Sequence, residues 1–107
     1  MSAYFDSQPT ADEITRMTGG FQSWFEIDLD AIGHNIDQAR GRTGGELVPC
    51  VKSNAYGHGV VPVVAYMMDK GIKRVLVAKI HEALQLREAG LDVGIVSIDP
   101  LFSDAQY

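Results

Sequence analysis

The sequence predicts an α/β fold built on a parallel sheet. Three observations carry that reading: short apolar runs alternate with amphipathic stretches, glycine-rich breaks separate them, and the connections are only a few residues long. Right-handed crossovers can close such an order into an open doubly wound sheet or into a barrel, and the pattern alone leaves both open. A complete (β/α)8 barrel takes roughly 250 residues. The 107 residues here could therefore supply about half of one at most.

Two parts are expected, a flexible N-terminal tail over 1–20 and an α/β domain over 21–107. The tail mixes Ser, Gln, Pro, Thr and acidic residues, with a short helical turn around Ile14 and Met17. It has neither the basic start nor the apolar stretch of a secretory signal. Trp24, Phe25, Ile27 and Leu29 then make a dense segment consistent with a strand. Asp28 or Asp30 offers an N-cap, and Leu29, Ile32, Ile36 and Ala39 recur at helical spacing up to the Gly41 and Gly44-Gly45 breaks.

Leu47 to Val51 reads as a buried strand, although Pro49 cannot donate a ladder hydrogen bond and so argues for an edge, a strand end or a bulge. Gly57 and Gly59 break it, and Pro62 opens a helix to about Lys70 with Gly71 at its exit. Val75 to Ala78 is the next strand. A helix over Ile80 to Ala89 follows, with Ile80, Ala83 and Leu84 on one face, then a short strand from Gly94 to Ile98.

Nine basic residues against fourteen acidic ones, a net charge of -5 and no basic stripe argue against nucleic acid as a partner. An acidic surface repels anionic lipid, and no run approaches the roughly 18 apolar residues of a membrane helix. Cys50 is the only cysteine, which excludes an intrachain disulfide and suits a reducing cytoplasm. Glu26, Asp28, Asp30 and Asp37 are read as capping carboxylates, so no metal site is expected.

The stretch from Val48 to Gly59 is where chemistry is expected, because α/β folds place their sites at the C-terminal ends of strands. Lys52 sits at such an end beside Cys50 and Val51. Partial desolvation there would make its amine available for Schiff-base formation. Tyr56 can present its hydroxyl to an anion near the same loop. A lysine after a strand is by itself more often a solvated charge, and spacing alone leaves that reading open. The order of lysine and glycines fits neither a Walker loop nor a dinucleotide fingerprint.

The string Val51-Lys-Ser-Asn-Ala-Tyr-Gly-His-Gly59 resembles the cofactor-lysine motif of the alanine racemases, V-K-A-N-A-Y-G-H-G, and departs from it only at Ser53. Glu26 to Ile32 followed by His34-Asn35 is similar to that family's opening strand and helix, and Glu82 to Gly90 to its third helix. The resemblance covers about Trp24 to Ile98 and makes the domain over 21–107 a partial barrel domain. It implies a pyridoxal 5'-phosphate (PLP) dependent isomerase, homodimeric and cytoplasmic, with an N-terminal TIM-type barrel and a C-terminal β domain, making D-alanine for peptidoglycan. The first strand of that family goes with the C-terminal domain rather than the barrel wall.

Residue by residue, the resemblance gives Lys52 the cofactor link and one general acid–base role, and gives Tyr56 a hydrogen bond to the cofactor phosphate. The family's second base, a tyrosine of the partner subunit, and its arginine at the pyridine nitrogen lie outside these residues. The chain is thus expected to be an N-terminal fragment, inactive alone. Two alternatives stand beside it: a single-domain PLP-binding homeostasis or carrier protein, and a serine or broad-specificity amino-acid racemase.

Among the other candidates, His58 reads as a loop-structuring residue, and His34 and His81 as helix-surface residues. Cys50 is expected in the core as a small buried residue, although it alternates with Lys52 along the strand. Met67 and Met68 are core filler. Trp24 is expected to be a core or interface anchor.

Overall fold

The computed structural model describes residues 3–6, 8–19 and 23–100. Its sheet is parallel. Strand β1 (Arg74–Val77) pairs with β2 (Gly94–Ser97) in register, Arg74 against Gly94 through Val77 against Ser97. On the other side of β1, a single bridge joins Cys50 to Leu76. Val51 N–H donates to the Leu76 carbonyl at 2.9 Å, and Leu76 N–H donates to the Pro49 carbonyl at 2.8 Å.

The strand expected over Leu47 to Val51 is thus reduced to this bridge. Pro49 joins it only as an acceptor, as its missing N–H requires, and Val48 is exposed. Ladder bonds continue past β2, with Ile98 and Asp99 donating to the carbonyls of Val77 and Ala78. Because all three segments run the same way, Lys52, Ala78 and Ile98 arrive at one edge of the sheet.

Helices pack over the sheet. Helix α3 (Leu29–Thr43) begins where Asp28 accepts from the Ala31 N–H at 3.1 Å, so Asp28 is the cap. It ends at Gly44, whose φ of 65° places it in the left-handed region while its N–H returns to the Arg40 carbonyl. Helix α5 (Val60–Asp69) starts two residues before Pro62, which sits in its first turn where a missing N–H costs nothing. It buries Val60, Val63, Val64, Ala65 and Met67. Met68 packs against the same core, as expected of filler.

Helix α6 (Ile80–Glu88) buries Ala83 and fully buries Leu86, whereas Leu84 is 48% exposed. Ala83 and Ile80 keep to the core side as expected, and Leu86 rather than Leu84 is the leucine buried there. Val75 and Val77 share that buried face, with Leu76 between them only partly covered. Each fully buried aliphatic side chain contributes about 1.5–3 kcal/mol relative to exposure. The core of Val51, Val64, Val75, Val77, Leu86 and Val93 therefore sets where the strand ends lie.

The side of the sheet at residues 47–49 is open. An apolar groove of about 340 Å³ runs there between Ile32, Ile36 and Ala39 of α3 and Leu47 to Pro49.

The segment before α3 differs from expectation. Residues 23–28 form no regular element and pair with no strand among the described residues. Phe25 is 97% exposed and Trp24 is exposed too, its indole N–H donating to Glu26 at 3.1 Å, so Trp24 anchors nothing in this chain. A segment without a neighbouring strand cannot satisfy a ladder, which is the physical reason no strand forms. Ahead of it lie α1 (Ala3–Asp6) and α2 (Ala11–Thr18). The helical turn expected at Ile14 and Met17 is the full α2, set by a capping box between Thr10 and Glu13, and it buries none of its residues.

Candidate active site

The polar, glycine-rich loop expected after Lys52 begins as a helical turn. In α4 (Lys52–Tyr56), Ser53, Asn54, Ala55 and Tyr56 all have positive φ, between 53° and 58°, and ψ is 45° to 48° at Ser53, Asn54 and Ala55. This is a turn of left-handed helix made without glycine. The conformation costs roughly 1–2 kcal/mol per L-residue, so other contacts must hold it.

Those contacts are specific. Ala55 N–H donates to the Val51 carbonyl at 2.9 Å, Gly57 N–H to Ser53 at 3.0 Å, and Gly59 N–H to Asn54 at 3.0 Å. The Asn54 side chain accepts from Val60 N–H at 2.8 Å and so caps the start of α5. His58 Nδ1 lies 3.1 Å from the Ala55 carbonyl, the loop-structuring role expected of it. Ala55 is buried beneath, and Gly57 and Gly59, with φ of 86° and 89°, carry the chain into α5.

Lys52 is half-buried where the turn leaves the sheet, and its Nζ stands 5.9 Å from the centre of the Tyr56 ring. Tyr56 is 59% exposed. Its hydroxyl meets the Cys50 thiol at 3.5 Å. Cys50 is exposed, not buried in the core as expected, because residues 49 and 51 take the inward positions and turn it toward the side of Lys52 and Tyr56. The hydrogen bond from Tyr56 holds the Cys50 thiol below its ordinary pKa, helped by the Lys52 backbone N–H and the lysine's charge. The same bond raises the Tyr56 phenol, which would lose its proton beside a thiolate.

Glu82 joins this group from α6, and sequence reasoning missed it. It is the buried charged residue of the core, 9% exposed. One carboxylate oxygen, Oε2, accepts from Ala78 N–H at 2.9 Å and Lys79 N–H at 3.4 Å. The other, Oε1, accepts from Ser53 N–H at 3.4 Å. Burial pushes its pKa up, but the hydrogen bonds from Ala78, Ser53 and Lys79 outweigh burial and hold it below the usual value. A glutamate three residues into a helix is a recognisable capping signal; the bond across to Ser53 has none.

Of the residues singled out from sequence, Lys52, Tyr56 and Cys50 come together. His34 and His81 lie exposed on their helices, as expected, and take no part. Among the described residues no group of three or more His, Cys, Asp or Glu could hold a metal ion, and no helix is long and apolar enough to cross a membrane. The chemistry of the donor set suits an aldehyde with an anionic tail: a primary amine to meet a carbonyl carbon, and a phenol hydroxyl on the same open edge to meet the anion.

The family profile "Alanine racemase, N-terminal domain" matches residues 27–107. The alanine racemase of Desulforamulus reducens is 43% identical over 83 residues, 76% of this chain and 22% of that protein. The crystal structure of alanine racemase from E. faecalis superposes with a TM-score of 0.64 at 35% identity, over 71% of this chain and 21% of that one. The alanine racemase of Bacillus anthracis, solved with bound L-Ala-P, superposes at 0.62 with 34% identity, over 74% of this chain and 22% of that one. The chain thus spans about a fifth of the length of these relatives. With the profile covering most of its residues, the chain belongs to the alanine racemase N-terminal domain family.

Proposed function

We propose that this chain is the N-terminal part of a PLP-dependent racemase that interconverts L- and D-alanine, with Lys52 as the cofactor lysine and Tyr56 as a phosphate ligand. The observation that carries the reading is the meeting of Lys52 and Tyr56 at one strand end, 5.9 Å from amine to ring centre, on a left-handed turn. The relatives' names and the L-Ala-P bound to the Bacillus anthracis enzyme support alanine as substrate. The carrier alternative has no such support.

When bound, the cofactor's ring supplies an electron sink that acidifies the α-proton of an amino acid. Lys52 Nζ would take or return that proton on its own face of the substrate. Tyr56 would donate its hydroxyl to the phosphate and fix where the cofactor lies relative to that amine. Racemisation needs a second base on the opposite face, and the resemblance assigns it to a tyrosine of a partner subunit outside these residues. On this reading the enzyme is a cytoplasmic homodimer supplying D-alanine for peptidoglycan. Residues 21–107 form the opening part of its barrel domain, and 1–20 form a tail.

The test is covalent capture. The chain is mixed with PLP, reduced with borohydride and digested, and a PLP-sized adduct is expected on Lys52, absent from Lys52→Ala. The complete gene product with PLP should interconvert the alanine enantiomers. A protein that binds no PLP at Lys52, and leaves L-alanine, serine and lysine unracemised, would sink the reading.

A further inference from the structure

Glu82 is a carboxylate with donors on both sides. Oε2 faces the N–H groups of Ala78 and Lys79 at the end of β1, and Oε1 faces the Ser53 N–H beside Lys52. The first pair of contacts would be enough to cap α6. The contact across to Ser53, 29 residues away in sequence, does something else. It ties the first left-handed residue after the lysine to the end of the adjacent strand. Asn54, the next residue of the turn, ties it to the start of α5 by accepting from Val60 N–H. The start of the turn is therefore held by side chains at two consecutive residues, Ser53 and Asn54, and the tie nearest the lysine is to Glu82.

We propose that Glu82 is a positioning residue for Lys52, a buried two-sided acceptor that fixes the direction in which the lysine leaves the sheet. The inference rests on the reading of Lys52 as the cofactor lysine, and it adds a residue of the following helix to the machinery that aims it. A misplacement of about 1 Å in a reacting group can cost on the order of 100-fold in rate. A lysine whose backbone is released at Ser53 has room for such a displacement.

The chemistry of the side chain separates this role from capping. A glutamine has one acceptor oxygen and one donor NH2. It can keep its oxygen on Ala78 and Lys79, but it then turns an NH2 toward the Ser53 N–H, where two donors face each other. Glu82→Gln should thus keep the α6 cap and lose the Ser53 tie, whereas Glu82→Asp keeps two acceptor faces on a shorter stem. Val75→Ala, a core truncation on β1 that touches neither Ser53 nor Glu82 in its hydrogen bonding, controls for loss of stability alone.

The experiment compares the full chain with these variants, at a temperature where circular dichroism shows each to be folded. Two quantities are read: the rate of PLP capture at Lys52, by borohydride trapping and mass spectrometry, and the rate of reductive methylation of Lys52 by formaldehyde, which needs no cofactor. Expected for Glu82→Gln is a capture rate lower by about 10-fold or more, with a changed Lys52 methylation rate. Glu82→Asp should recover part of the loss and Val75→Ala should match wild type. Equal capture and methylation in Glu82→Gln and wild type would overturn the inference.

Amide exchange on the unmodified chain gives a test that no variant's misfolding can blur. The Ser53 N–H should be protected like that of Ala78, and exchange at the rate of an open loop would overturn the proposal. If wild type captured no PLP at all, the functional reading would fall, while methylation and Ser53 exchange would still decide whether Glu82 holds Lys52 in place.

Discussion

The Cys50 thiol and the Tyr56 hydroxyl meet at 3.5 Å across the mouth from which Lys52 projects. Six residues separate them in sequence, and only the left-handed path of the turn brings the phenol back over the strand end. The pair is both a chemical signature of this site and a reporter on it.

Alkylation of Cys50 should follow a titration whose midpoint lies below that of an ordinary cysteine, because Tyr56 donates to the thiolate and Lys52 stabilises its charge. Tyr56→Phe removes the largest of these causes while keeping the ring. Its iodoacetamide rate profile should shift to higher pH, with slower reaction at neutral pH. A profile that does not move would show that Tyr56 does not donate to Cys50 in solution.

Asn54 combines two tasks, occupying a left-handed position and accepting from Val60 N–H at 2.8 Å. Asn54→Gly keeps the first and loses the second; Asn54→Ala loses both. Loss of a cap costs about 0.5–2 kcal/mol. The left-handed penalty for alanine adds roughly 1 kcal/mol more. Urea denaturation should therefore rank wild type above Asn54→Gly above Asn54→Ala, and equal midpoints for the two variants would refute a left-handed position 54.

Acid should weaken the fold through Glu82. Its pKa in the folded chain is depressed, so its stabilisation is present above the unfolded value of 4.5 and is lost as pH falls through the lower folded value. The melting temperature of wild type should fall on acidification from pH 5 toward 3, and that of Glu82→Gln should fall less. Asp37 and Glu46, paired with Lys70 and Arg74 at the surface, shift the same way, and added salt should screen their part.

The phase of α6 can be checked with two leucines two residues apart. Leu86 is fully buried and Leu84 is 48% exposed. Leu86→Ala should cost about 2–5 kcal/mol in urea unfolding. Leu84→Ala should cost about 0.5 kcal/mol, the range of surface changes. Equal losses would mean the helix packs in a different rotation.

Helices α3, α5 and α6, strands β1 and β2, a cap at Asp28 or Asp30, the exits at Gly44 and Gly71, and the placing of Lys52 and Tyr56 after a strand end were legible in the chain, because each is set by local spacing and by residues with few conformational options. The family resemblance was legible for the same reason, since Val51 to Gly59 is a contiguous string. Tertiary structure alone decided whether apolar segments became strands. Residues 23–28 have strand composition but find no neighbour, and 47–51 find only Leu76, because a ladder needs a second backbone that no local pattern supplies. It also decided that Cys50 faces outward and that Ser53 to Tyr56 coil left-handed. Above all it decided that Glu82 reaches back to Ser53, for a hydrogen bond between groups 29 residues apart exists only once the sheet and α6 have set the distance between them.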